Sequence, residues 1–257
     1  MTDLSIIIPA YNEQGNLRRL IEEIQNALQT VPVQFEIIAI DDGSSDGTLS
    51  ELRQAAETCW QLRILVHGKR AGKSAALKTG FEACRGRWVA TLDGDGQNDP
   101  ADVARLWPRI SASRADVIFA GVRRSRNDGL IKKITSRVAN PLRRALLNDT
   151  ARDSGCGFKI LPLEFARAVP YFDNLHRFIP ALARRQGFDI ENVLVNDRPR
   201  EHGVSKYGFF DRAAVAFLDV VGVYWLTRRY SDRGAIRELA SGAASHGNAE
   251  RALNSAA

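Results

Sequence analysis

Cysteine is scarce in this sequence and long apolar runs are missing from it. Cys59, Cys84 and Cys156 are an odd number of thiols at wide spacing with no C-x-x-C pair. That pattern excludes a disulfide framework and a cysteine-based zinc site, and fits a reducing cytosol. The longest apolar stretch towards the C-terminus, residues 213–226, is broken by Asp219 and falls short of the roughly 20 residues a bilayer-spanning helix needs. At the other end Asp3 comes almost at once and the apolar run 4–10 contains Pro9, the profile of a strand and not of a cleavable signal peptide. There is no internal repeat and no DNA- or RNA-binding motif.

With 44% hydrophobic and 26% charged residues over 257 positions, the chain has the composition of a globular protein, long enough for one large domain or a domain with an appendage. Its net charge of +6 is concentrated: residues 123–144 hold eight Lys or Arg against the single acid Asp128. A block of that sign suits a polyphosphate, a nucleic acid or an anionic lipid, and the plain alternative is a solvated basic face. The stretch 238–257, rich in Ala, Ser, Asn and Gly, is expected to be a disordered tail.

Short apolar runs recur at 5–9, 36–40, 63–66, 88–92 and 116–122, with helical periodicity between them. Leu17, Leu20, Ile21, Ile24 and Leu28 share one helical face. A second helix is expected to begin near Asp46 as N-cap and to repeat Leu49, Leu52 and Ala56. The alternation predicts βαβ units and a mostly parallel sheet with helices on both faces. Ligands then lie beyond the carboxyl ends of the strands, where Pro9-Ala10-Tyr11-Asn12-Glu13, Asp41-Asp42-Gly43-Ser44 and Asp93-Gly94-Asp95-Gly96 all fall. After about Leu130 the pattern breaks into short pieces that read as appended to the sheet.

Asp93 and Asp95 flank a glycine after a predicted strand. In extended chain such carboxylates share a face and can hold one hard cation, Mg²⁺ or Mn²⁺, which takes further ligands from substrate phosphates. A solvated Asp-Gly turn is the alternative for that segment taken alone.

In order along the chain, Pro9-x-Tyr11-Asn12-Glu13, Asp41-Asp42-Gly43-Ser44-Ser45-Asp46-Gly47-Thr48, the Asp93-x-Asp95 segment and Arg200-Glu201-His202-Gly203-Val204-Ser205-Lys206-Tyr207 resemble family 2 glycosyltransferases of the GT-A fold. The similarity is to the dolichol-phosphate mannose synthase-like branch and covers roughly residues 4–207. It implies nucleotide-binding roles for Pro9, Tyr11, Glu13, Ile40, Asp42, Gly94, Gln97 and Arg123, and a metal held by Asp93 and Asp95. It implies catalytic roles for Asp93, Asp95, Arg200 and Lys206. Residues 1–207 would form the catalytic domain, with 1–122 as the nucleotide-sugar-binding half and 123–207 as the acceptor-side half. Residues 208–237 would form amphipathic, membrane-associating helices.

Elementary chemistry agrees with that assignment. Cleaving a sugar–diphosphate bond releases an anionic leaving group, which a metal with Arg and Lys stabilises as charge develops. The Glu-Asp base and Q-x-x-R-W segment common in members that glycosylate hydroxyls are missing. A phosphate monoester is already anionic and needs no positioned base, so a polyprenyl phosphate is the expected acceptor, with a saccharide hydroxyl as the alternative.

Apolar and cationic residues together in 209–230 are those of a peripheral binder of an anionic membrane surface, on the cytoplasmic face. An ordinary buried helix is the equal alternative for that stretch. Many members of the resembled family continue into transmembrane helices. Retention here is expected to rest on the interfacial helix, a homo-oligomer or a separate membrane-protein partner.

His176 is a candidate for the acceptor path. Gly68-Lys69-Arg70-Ala71-Gly72-Lys73-Ser74 has the context of a phosphate-binding loop but one residue too few between its glycines for Walker A. Nucleic acid is not an expected partner, because acids clustered at strand ends repel it.

Overall fold

The structure, a computed structural model, describes residues 2–124, 146–147, 149–199 and 210–229, with the side chains of 210–217 excepted. The helix over 210–228 is thus described by backbone in its first eight residues. Strands β1 (Leu4–Ala10), β2 (Phe35–Asp41), β3 (Leu62–Val66), β4 (Trp88–Thr91), β5 (Val117–Arg123), β6 (Lys159–Pro162) and β7 (Asp189–Val195) form one sheet in the order β3-β2-β1-β4-β6-β5-β7. β6 runs antiparallel to both neighbours, and every other pairing is parallel.

The alternation of β1 divides the core. Ile6 and Ile8 join a cluster with Leu17, Leu20, Ile21, Ile24 and Leu28 of α1 (Leu17–Leu28), Leu52 of α2 (Thr48–Thr58) and Val103 of α4 (Ala101–Ser111). Ile7 points the other way, among Leu77 and Phe81 of α3 (Lys73–Ala83), Phe165 of α5 (Leu163–Ala168), Leu182 of α6 (Ile179–Arg185) and Val223 of α7 (Phe210–Arg228). Side chains one apart on a strand face opposite layers, so a run of isoleucines serves both. Each fully buried aliphatic side chain stabilises the fold by about 1.5–3 kcal/mol over leaving it in water.

Two expectations change. The second helix starts at Thr48 and buries Thr48, Leu52 and Ala55; Asp46 accepts from the Thr48 N–H at 3.0 Å, capping from one residue further out. The part after Leu130 is not appended: β6 lies inside the sheet between β4 and β5, and β7 forms an edge. A charge hid β6, because its first residue is the buried Lys159.

Topology makes the crevice. β1 stays beside β2 as far as Ala10↔Asp41 but leaves β4 at Ile7↔Thr91. Pro9, with no N–H to give, lies past that parting. Strand order also reverses here, the place where open α/β sheets take ligands. Because β6 is antiparallel, its N-terminal approach, Cys156 to Phe158, arrives at the edge where β4 ends.

Candidate functional site

Two acids at this edge are stabilised in different ways. Asp42 is buried, with its Oδ1 accepting from the Ala71 N–H at 2.8 Å and its Oδ2 from the Gly72 N–H at 2.7 Å. His67 Nδ1 stands 2.7 Å from Oδ1, and Nε2 of the same ring 2.9 Å from Thr79 Oγ1. Gly43, at φ +67°, passes so near Lys69 and Arg70 that a Cβ there would meet their backbone at 2.7 Å. The end of β2 is therefore locked to the loop before α3. That loop sets Arg70 4.4 Å from the centroid of the Tyr11 ring, a cation–π contact.

The segment after β1 is tied to the same place. The Asn12 N–H donates to Ser44 Oγ and the Glu13 N–H to Thr48 Oγ1, both at 2.9 Å. Asn16 Nδ2 donates to Glu13 Oε2 at 3.0 Å. Asn12 takes a positive φ of 51° to make this turn, a conformation asparagine tolerates better than most residues. Pro9, Tyr11, Glu13 and Asp42 are thus brought to one rim. Ile40 is not part of it: its side chain is fully buried in the layer beneath α3, beside Gly80. Only its main chain is near the rim.

Asp93 sits at the end of β4 with its carboxylate among cations. Lys73 Nζ donates to Oδ1 at 2.5 Å. The Asp93 N–H is taken by Asn98 Oδ1 at 2.9 Å. Burial pushes the Asp93 pKa up, but Lys73 first, then Lys159 and Arg123, outweigh it and hold the carboxyl below the usual range. Lys159 is buried and donates to the Cys156 carbonyl at 2.6 Å. Burial brings its pKa down to about 8, and Lys73 adds to that, against the upward pull of Cys156, Asp93 and Asp153.

Arg123 makes a two-pronged pair with buried Asp153, at 2.8 and 3.2 Å. Burial disfavours its charge, and Asp153 more than restores it. Gly157 is required here, because a Cβ on it would fall on the Asp93 carboxyl. Gly94 likewise passes within 3.0 Å, measured from its would-be Cβ, of the Pro9 carbonyl.

Asp93-Gly94-Asp95 is a turn and not extended chain, so strand alternation does not align the two carboxylates. Asp95 is buried, accepts from the Gln97 N–H at 3.1 Å, and borders a cavity of about 30 Å³ with Gly15, Asn16 and Arg198. Gln97 Nε2 and its carbonyl both meet the Arg198 main chain, at 3.3 and 2.9 Å. Arg198 is itself held by Glu23 and Asp99. Arg200 and Lys206 lie outside the described residues; the chain leading to them runs beside this loop.

Among the described residues no group of three His, Cys, Asp or Glu converges on a metal position. Two carboxylates fit Mg²⁺ or Mn²⁺, which keep waters and bind substrate phosphate, and do not fit a structural zinc. The donor atoms suit the role: Asp93 is cradled by Gly157 and already carries a cation, the Lys73 ammonium.

Over the N-terminus of α3 lies an open cavity of about 330 Å³ between Arg70, Lys73, Ser74, Asp173, Asn174 and His176. His176 Nδ1 is 3.0 Å from Ser74 Oγ. Burial, and then Lys73, Lys159 and Arg177, hold its pKa well below the ordinary value, so the ring is neutral. Of these residues, Lys159, Asp153, His67 and Asn98 were not among the expected site. Their contacts are tertiary, and no local motif marks them.

Residues 5–169 match glycosyl transferase family 2. Dodecaprenyl-phosphate galacturonate synthase of Rhizobium johnstonii is 35% identical over 230 residues, which are 88% of this chain and 68% of that protein. Undecaprenyl-phosphate 4-deoxy-4-formamido-L-arabinose transferase of Pseudomonas fluorescens is 35% identical over 205 residues, 79% of this chain and 60% of its own. This chain thus spans 60% to 68% of these relatives' lengths. Among solved structures, glucosyl-3-phosphoglycerate synthase from Mycobacterium tuberculosis, in complex with Mg²⁺ and uridine diphosphate, superposes with a TM-score of 0.66 at 20% identity. That alignment covers 91% of this chain and 82% of the other. The fold is GT-A.

Two outcomes are expected from this geometry. In Gly157→Ala the new methyl displaces the Asp93 carboxylate, a flexible group. Denaturant unfolding should therefore change by only about 1 kcal/mol, and any divalent ion held through Asp93 should bind at least tenfold more weakly, read with Mn²⁺ by electron paramagnetic resonance. For His176, the folded pKa lies below the unfolded value of 6.5. Stability is therefore full above that pH and is lost as pH falls below it, by up to about 1.4 kcal/mol per pH unit from this group. Melts between pH 7.5 and 5.5 should show a shallower fall in His176→Gln.

Proposed function

This chain belongs to glycosyl transferase family 2, and on that premise we propose that it moves a glycosyl group, with inversion, from a UDP- or GDP-sugar to a polyprenyl phosphate. The observation that carries the reading is the Asp93 carboxylate, ringed by Lys73, Lys159 and Arg123 at the edge where Pro9, Tyr11 and Asp42 also gather. Such a cluster of charges suits a cation and a diphosphate together. Two curated relatives that bear polyprenyl-phosphate substrates in their names support the choice of acceptor.

In this reading Tyr11, Glu13 and the loop clamped by Asp42 receive the nucleoside, and Asp93 with Asp95 holds Mg²⁺ or Mn²⁺. When bound, the ion would neutralise charge on the departing diphosphate. Lys73 and Arg123 add positive charge from the protein side, preorganised by α3 and by Asp153, as Arg200 and Lys206 would from the segment beyond Pro199. Attack comes from a phosphate oxygen that is already ionised. A hydroxyl acceptor is the second reading; it would need a base, and the burial and cations that keep His176 neutral make that ring a weak one.

A peripheral position on the cytoplasmic face of the membrane goes with the lipid acceptor. No helix among the described residues is long and apolar enough to cross a membrane. α7 packs Val223 into the core and anchors Asp219 to Asn174 Nδ2 at 3.0 Å. Its other face exposes Leu218, Val221 and Trp225, spaced three and four apart, with Arg228 and Arg229 at the end. Apolar area beside cationic charge is what binds an anionic interface. One side of the helix is docked on the core, and the exposed side is what supports the interfacial reading.

The test is transfer from radiolabelled UDP- and GDP-sugars to a short-chain polyprenyl phosphate or to a saccharide acceptor, with Mn²⁺ present. Product on the phosphate is expected. Asp95→Ala should lower the rate by about 10²–10³-fold without altering the far-ultraviolet circular dichroism. Near-normal transfer in excess EDTA, or product on the saccharide alone, would overturn the reading.

A further inference from the structure

Of the three cations around Asp93, two are fixed elsewhere. Lys159 is buried and donates to the Cys156 carbonyl, and Arg123 is paired on two prongs with Asp153. Lys73 differs: among the described residues its ammonium has Asp93 Oδ1 as its hydrogen-bonding partner, at 2.5 Å. The contact is half-buried, with about 30% of each side chain open to solvent. A long, flexible stem can therefore carry the charge away.

A lysine ammonium and a divalent ion compete for the same oxygen. Mg²⁺ or Mn²⁺ takes a carboxylate oxygen at about 2.0–2.2 Å in a demanding octahedron, which leaves no room for an ammonium on the same atom. Like charges that close repel strongly where water is partly excluded. Lys73 also stands at the first residue of α3, immediately after Gly72, whose N–H is held by Asp42. Its backbone is thus set by the loop that would receive the nucleoside.

We infer that Lys73 is a tethered counter-ion that occupies Asp93 in the unloaded enzyme, is displaced when the divalent ion arrives, and then pairs with the diphosphate of the donor. The inference rests on the reading of Asp93 as a metal-holding residue. Metal alone has to expel the ammonium from the carboxylate it is hydrogen-bonded to and gives it no anion in return. Metal with a nucleoside diphosphate supplies one. The site therefore binds the two together far better than either singly, and Lys73 acts as a positioning residue that couples them.

The experiment measures free Mn²⁺ by electron paramagnetic resonance during titration of the whole chain, without nucleotide and with UDP or GDP. For Lys73→Met, Mn²⁺ alone should bind at least tenfold more tightly than in the unaltered protein. In the same variant, affinity for UDP or GDP at saturating Mn²⁺ should drop about tenfold. Lys73→Arg, which keeps the charge, should stay close to the unaltered protein in nucleotide-free Mn²⁺ affinity. Unchanged or weaker Mn²⁺ binding by Lys73→Met, beside normal binding of Mn²⁺ with UDP or GDP by the unaltered protein, overturns the inference and leaves the glycosyltransferase reading intact. Failure of the unaltered protein to bind Mn²⁺ even with UDP and GDP overturns both.

Discussion

A carboxylate packed at the edge of a sheet needs donors or cations around it, and this protein supplies them in two different ways. Asp42 is satisfied by two main-chain N–H groups and an imidazole. Such donors belong to the fold and cannot leave, so Asp42 acts as the clasp between β2 and the loop preceding α3. Asp93 is satisfied by side-chain cations. Of these Lys73, on a flexible stem, can be exchanged, which suits the proposed ligand role of Asp93.

The placement of β6 makes the second arrangement possible. Only an antiparallel strand beside β4 brings Gly157 and Lys159 to the end where Asp93 emerges, and only glycine at 157 leaves the carboxyl its space. The Thr91 hydroxyl donates to the Gly157 carbonyl at 2.6 Å, fastening the two chain segments together just before the acid. β7 completes the edge by sending Asp197 and Arg198 back against Gln97 and Asn98. The strands that follow residue 122 are therefore structurally continuous with those before it in one sheet.

Much of this was legible in the residues. The isoleucines of β1 and the heptad-like face of α1 follow directly from period two and period 3.6, and all five expected α1 positions are buried. Turn-forming acids after β1, β2 and β4 marked one shared edge of the sheet. What could not be read depended on contacts across the sequence. β6 opens with a charged residue whose burial is tolerated because main-chain carbonyls accept from it and the charges of Asp93 and Asp153 lie nearby. The carboxylate pair looked like an extended D-x-D, yet Gly96 at φ +73° closes it into a turn. Ile40 sits next to motif acids but faces the hydrophobic layer, as a strand residue one place from Asp41 must. Arg200 and Lys206 lie outside the described residues.

The central claim is that the charge environment of Asp93 is built for a divalent ion and a diphosphate. Crystals grown with Mn²⁺ and UDP or GDP, measured at the manganese absorption edge, test it most directly. The account predicts an anomalous peak within coordinating distance of the Asp93 carboxylate and of a phosphate oxygen, with the Lys73 ammonium moved off Asp93. A nucleotide bound with Lys73 still paired to Asp93, and manganese absent from that carboxylate, would contradict it.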